Sequence, residues 1–143
     1  MVDDRFVITE IFEAPPEKVW KAITDKNQMK EWYFDIPDFE LKVGHTFNFH
    51  EPGNEKKFHH VCKITEIVPG VRFQHTWTYP GFNMFGSVVT WNLEKVDNGT
   101  RVTLTHLGLD NFKNGGDAFK KENFEAGWNE IVKNQLNRFL NPK

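Results

Sequence analysis

Six histidines and one cysteine are the side chains of this sequence with the most chemistry available to them: His45, His50, His59, His60, His75, His106 and Cys62. A helix that offers two metal ligands from one face carries them in HxxxH or HExxH spacing, and no such pair occurs. His60, His75 and His106 would have to converge from three separate strands, so no metal is expected and each reads as a core or rim histidine. Cys62 lies in an apolar β-rich run with no helix N-terminus to lower its pKa, which makes it a small buried hydrophobe rather than a nucleophile. The close carboxylate pairs, Asp35 with Asp38, Glu51 with Glu55 and Glu122 with Glu125, fit turn, cap and solvated-face roles. Gly115-Gly116 is followed by no GK[ST], and no GxGxxG follows a strand. No cofactor and no catalytic residue are therefore expected. The enzymatic alternative is a cyclase-like or hydrolytic activity in which His75 or His106 acts as general acid or base beside Trp91 and Trp128.

Aromatic residues make up 15% of the chain, with fourteen Phe and five Trp, so a few large stiff side chains fill most of the interior. Their spacing sets out the elements. Phe6, Ile8 and Phe12 mark a first strand that ends at Ala14-Pro15-Pro16. Val19, Trp20 and Ile23 then give a short amphipathic helix over 17–24, and Asp25 caps a second that runs through Met29 and Trp32 to about Phe34. Phe39 to Leu41 and Thr46 to His50 read as a hairpin, with a turn at 51–55. Further strands span 58–68, 71–79, 85–96 and 100–109, separated by Pro69-Gly70, Pro80-Gly81 and the hairpin signal Asp97-Asn98-Gly99. Val71, Phe73, His75, Trp77 and Tyr79 are placed on one face. Phe119, Phe124, Trp128, Ile131, Val132, Leu136 and Phe139 recur at helical spacing in a long last helix.

These elements predict an α+β domain over residues 4–141, a helix-grip arrangement in which a seven-stranded curved antiparallel sheet wraps one long C-terminal helix. Two short helices follow strand one. A sheet with a single long helix to cover it has to curl, and space left between the two suits a small apolar ligand. Phe47, Phe49, Phe73, His75, Trp77, Val89, Trp91, Val102, Leu104 and His106 are expected on the concave face, opposed by Phe124, Trp128 and Ile131 and closed by Trp32. Trp91, Thr103, Thr105 and His106 form a polar cluster that orients a ligand if it points inward and makes cross-strand pairs if it points outward.

Eighteen basic against twenty acidic residues leave a net charge of −2, which provides no footprint for nucleic acid. A single cysteine allows no internal disulfide and suits a reducing cytoplasm. The first ten residues contain Asp3, Asp4 and Arg5 and lack the apolar core of a secretory signal, and no stretch reaches the length of a membrane span. A monomer or a homodimer is expected.

Two blocks, Phe12-Glu13-Ala14-Pro15-Pro16-Glu17-Lys18-Val19-Trp20-Lys21-Ala22-Ile23-Thr24-Asp25 and Met29-Lys30-Glu31-Trp32-Tyr33, resemble the opening of activator of heat shock protein 90 ATPase homologue-like domains. Val89-Thr90-Trp91-Asn92-Leu93-Glu94, Gly99-Thr100-Arg101-Val102-Thr103-Leu104-Thr105-His106, Gly108-Leu109 and Gly127-Trp128 continue the likeness in order over almost the whole chain. The resemblance implies the START-like (SRPBCC, Bet v-like) superfamily, whose members bind lipids, polyketides, hormones or other apolar molecules, some as cyclases or hydroxylase subunits. It also implies a chaperone as the alternative partner, in a co-chaperone or stress-response role. In eukaryotic co-chaperones this domain is the C-terminal half of a longer protein, so ancestry rather than chaperone activation is expected here. The leading expectation is non-catalytic binding of a small hydrophobic ligand, lipid-like or aromatic.

Overall fold

The computed structural model describes residues 5–50, 59–82, 84–109, 112 and 121–140. Strand β1 (Phe6–Phe12) follows its period of two, burying Ile8 and Phe12 and leaving Val7, Thr9 and Ile11 outside. Pro16, whose missing N–H costs nothing in a first turn, starts helix α1 (Pro16–Thr24), which turns Val19, Ala22 and Ile23 to the core. Asp25 ends α1 and accepts a hydrogen bond from the Gln28 backbone N–H at 3.3 Å, capping helix α2 (Lys26–Trp32). That helix stops at Trp32, two residues short of the expected Phe34. The Trp32 indole N–H donates to the Ala22 carbonyl at 2.8 Å and ties the two helices together.

Five further strands follow among the described residues: β2 (Thr46–His50), β3 (His59–Val68), β4 (Arg72–Tyr79), β5 (Met84–Val96) and β6 (Gly99–Leu107), with a 3-10 turn at Pro80–Phe82 between β4 and β5. They pair antiparallel in the order β1-β6-β5-β4-β3-β2, so β1 and β2, neighbours in sequence, lie at opposite edges. Helices α1 and α2 make the crossing between those edges. Gly99 permits the return of β6 beside β1, since a Cβ there would lie 1.9 Å from the Phe12 carbonyl oxygen.

The sheet has six strands among the described residues rather than the seven expected, because Phe39 to Leu41 does not pair with β2. A carboxylate does the work of a strand there. Asp38 accepts the Asn48 backbone N–H at 3.1 Å and its side-chain amide at 3.0 Å, satisfying the outer edge of β2. Phe39 folds inward instead, edge-on to Phe47 at 5.1 Å and to Phe73 at 6.2 Å. Val71 also departs from expectation: it sits in the turn before β4 and is exposed. The turn expected at 51–55, Phe58, the Gly115-Gly116 loop and Phe119 lie outside the described residues.

The C-terminal helix runs as α3 (Lys121–Asn129), a π-helical segment (Glu130–Leu136) and α4 (Asn137–Leu140). Its deepest residues are Trp128, Val132, Leu136 and Leu140. A strict four-residue repeat drifts around an α-helix of about 3.6 residues per turn. The wider turn of the π segment takes up that drift and keeps the stripe on the sheet. Lys18 secures the far end by donating to the Leu140 carbonyl at 3.0 Å, and Gln135 donates to the Trp32 carbonyl at 2.8 Å.

Candidate ligand site on the concave face

Register places the inward side chains in rows across the sheet. Ile64, His75, Val89, His106 and Phe6 form one row through successive strand pairs, and Phe47 and Cys62 pair in the next. Trp77 pairs with Ser87, and Phe73, Trp91 and Leu104 share a third row with Ile8. Phe47, Phe49, Phe73, His75, Trp77, Val89, Trp91, Leu104, His106 and Trp128 are all buried, as is Val102 beneath them. Phe124 and Ile131 are half-buried and pack against the same core. Trp128 lies 5.2 Å from Trp77 and 6.1 Å from Trp91, ring centre to ring centre, so the helix does bring its tryptophan to the residues named from the sequence. Trp32 meets Trp91 edge-on at 6.4 Å.

The polar cluster expected around Trp91 divides. Trp91 and His106 face inward, whereas Thr103 is half-exposed on the outer face and its hydroxyl lies 3.4 Å from that of Thr9. Thr105, facing Thr90 and Val7 across the strands, belongs to that outer face as well. The threonines are thus cross-strand partners and take no part in the interior.

Inside, His106 is held by a chain of directed hydrogen bonds. The Trp128 indole can only donate, and its N–H reaches His106 Nδ1 at 3.0 Å. The neutral ring therefore carries its proton on Nε2, which donates to Ser87 Oγ at 3.0 Å, and Ser87 in turn donates to the Trp77 carbonyl. Burial, with a smaller contribution from the neighbouring His75, lowers the His106 pKa to about 3. Both ring nitrogens are committed, and protonation at Nδ1 would set one N–H against another. His75 is also buried and kept neutral, its pKa lowered to about 4 by desolvation although Nδ1–H donates to the Thr76 carbonyl at 2.9 Å.

The sequence did not single out the β2–β4 half of this face as polar. His60 stacks on Phe49 at 4.4 Å and lies 4.7 Å from Tyr79, whose hydroxyl accepts the Trp77 indole N–H at 2.8 Å. Tyr33 is half-buried, yet desolvation raises its phenol well above the usual pKa, and its electrostatic coupling to Cys62 and Tyr79 adds to the rise. Cys62 is fully buried in β3 and its thiol pKa is likewise raised by desolvation. Tyr79 shares the face on which the sequence placed it with Trp77, and Cys62 and Ser87 follow from the same kind of alternation, so strand parity alone could have found them. Tyr33 could not be found that way, because it lies in the irregular segment after α2.

An aromatic path leads from that segment inward: Tyr33 to Phe34 at 4.5 Å, Phe34 to Phe49 at 4.6 Å, Phe49 to Trp77 at 5.7 Å. Tyr33 and Phe34 are partly exposed, while Phe49 and Trp77 are buried. Outside, an open groove of about 450 Å³ is lined by Glu31, Trp32, Gln135, Arg138 and Phe139; of the candidate ligand-binding residues it touches Trp32. Another, of about 270 Å³, lies between the β1–α1 turn and the β5–β6 hairpin and touches none of them. Among the described residues no group of three His, Cys, Asp or Glu side chains is arranged to hold a metal ion, and no helix is long and apolar enough to cross a membrane.

A curved antiparallel sheet closed by a C-terminal helix, with an aromatic concave face, defines the helix-grip class of α+β proteins. Within it the chain belongs to the Activator of Hsp90 ATPase homolog 1-like family, whose model matches residues 13–141. Similar solved structures include the Aha1 dimer from Colwellia psychrerythraea, at 26% identity over 100% of this chain and 99% of that one, with a TM-score of 0.74. A protein from Mesorhizobium loti is 26% identical over 95% of this chain and 96% of its own, with a TM-score of 0.76. DynU16, a putative protein in the dynemicin biosynthetic locus, shares the fold at a TM-score of 0.81 and 20% identity, over 99% of this chain and 48% of that one. No curated protein matches the sequence.

Proposed function

We propose that this protein binds a small hydrophobic molecule, aromatic or lipid-like, between the concave face of its sheet and the C-terminal helix. The observation that carries the reading is the continuous aromatic path from half-exposed Tyr33 and Phe34 to buried Phe49 and Trp77. Such a path offers an entering molecule ring faces and edges in place of water. Neighbouring Phe47, Phe73, His75, Val89, Leu104 and His106 form the floor, and Trp91, Phe124, Trp128, Ile131 and Trp32 the walls. His106, with both nitrogens engaged, serves here as a fixed polar strut rather than an acid or base. Calorimetric titration with a panel of uncharged aromatic and long-chain molecules tests the proposal. Saturable 1:1 binding with a negative heat-capacity change supports it, and the absence of saturable binding across the panel refutes it.

A second reading, a co-chaperone role in dealings with a heat-shock protein 90, is favoured by the family match and by the likeness to the Colwellia psychrerythraea protein. Added protein that leaves the chaperone's ATP turnover unchanged would eliminate it.

A further inference from the structure

Phe49 and His60, cross-strand partners on β2 and β3, lie 4.4 Å apart with their rings within 7° of parallel, and both are buried. Trp77 meets the two edge-on, at 5.7 Å and 5.0 Å, so the pair is a flat aromatic platform held by the sheet itself. The ring that covers it comes from elsewhere. Phe34 stacks on Phe49 at 4.6 Å and 26° and lies 6.2 Å from His60, yet it belongs to the irregular segment after α2 and is only half-buried.

Both ends of that segment are anchored. Trp32 donates its indole N–H to the Ala22 carbonyl and accepts the Gln135 amide on its own carbonyl, each at 2.8 Å, and Ile36 is fully buried. Helical hydrogen bonding ends with the Tyr33 N–H on the Met29 carbonyl at 2.7 Å, and the next turn closes from the Phe39 N–H to the Ile36 carbonyl at 3.1 Å. Phe34 and exposed Asp35 lie between the two. A side chain on such a span can rotate outward while helix and sheet stay in place. An aromatic pair gains from ring geometry as well as from buried area. A flat ring that replaces Phe34 on Phe49 therefore restores the contact it breaks, whereas a saturated chain restores only the area.

Resting on the ligand-binding reading, we propose that Phe34 is a displaceable plug and that the occupant is a planar aromatic molecule, whose ring takes the place of Phe34 on the platform of Phe49 and His60. Calorimetry at pH 7.5 with 2-naphthol, its saturated counterpart decahydro-2-naphthol and 1-decanol provides the test. 2-Naphthol is expected to bind about five-fold more tightly than the saturated ring alcohol, the worth of one aromatic pair. In Phe34→Ala no plug has to leave, so both ring alcohols bind about five-fold more tightly and the preference between them is kept. If that variant does not fold, Phe34→Leu, which keeps bulk and loses the ring face, must shift 2-naphthol in the same direction. Unchanged or weaker binding of 2-naphthol in the variant makes Phe34 a fixed wall and overturns the plug. Equal affinity of the two ring alcohols, or tightest binding of 1-decanol, overturns the planar occupant. Either result leaves the ligand-binding reading standing, whereas failure of all three probes on the unaltered protein and the variant overturns both.

Discussion

Ser87→Ala tests the hydrogen-bond chain around His106 most directly, because it removes one oxygen and very little volume. Ser87 is 1% exposed, so water cannot readily replace what is lost. The substitution takes the acceptor from His106 Nε2–H and the donor from the Trp77 carbonyl, leaving two polar groups short of a partner. A buried unsatisfied group costs about 1–3 kcal/mol, and the backbone carbonyl keeps a second lone pair, so a total of about 2–4 kcal/mol is expected. At about 3–4 °C per kcal/mol for a chain of this size, the melting temperature should fall by roughly 6–16 °C. Urea unfolding followed by tryptophan fluorescence measures the loss, and a cycle with Trp128→Phe measures its coupling through the shared imidazole. A loss under about 0.5 kcal/mol would mean that the chain contributes nothing to the fold and that His106 is not locked in the Nε2–H tautomer.

Acid should destabilise the fold through its two buried imidazoles. The His75 and His106 pKa values, about 4 and about 3, lie below the ordinary 6.5, so below pH 6.5 the unfolded chain takes up protons that the folded one refuses. Stability is full above that pH and falls by about 1.4 kcal/mol per pH unit for each ring, which His106→Leu should roughly halve in urea titrations between pH 6.5 and 4. Gly108, at φ +87° with the Gly86 carbonyl oxygen 2.2 Å from any added Cβ, should lose at least about 2 kcal/mol as Gly108→Ala. Gly127, helical with open space around it, should gain about 0.5–1 kcal/mol as Gly127→Ala, and thermal melts of the pair show whether the signs are opposite. Cys62, buried and with a raised thiol pKa, should resist a disulfide reagent until denaturant is added; rapid labelling of the native protein would refute the burial.

Periodicity was enough to establish the order of the elements, because a strand must bury every second residue and a helix every third or fourth. The inward placement of Phe73, His75, Trp77 and Trp91 and the arrival of Trp128 from the helix follow from that local rule. Whether Phe39 to Leu41 became a seventh strand did not, since the edge it would have covered is capped by the Asp38 carboxylate, a tertiary contact without a local signature. The π segment and the inward position of Tyr33 belong to the same class: both depend on how the helices sit against the sheet. The roles of the histidines were decided in the tertiary structure alone. Residues of one type, indistinguishable in sequence, are separated by which donors and acceptors the packing brings to each described ring. His106 is saturated by Trp128 and Ser87, while His75 bonds the Thr76 carbonyl of its own strand and His45 reaches the Asp38 carbonyl.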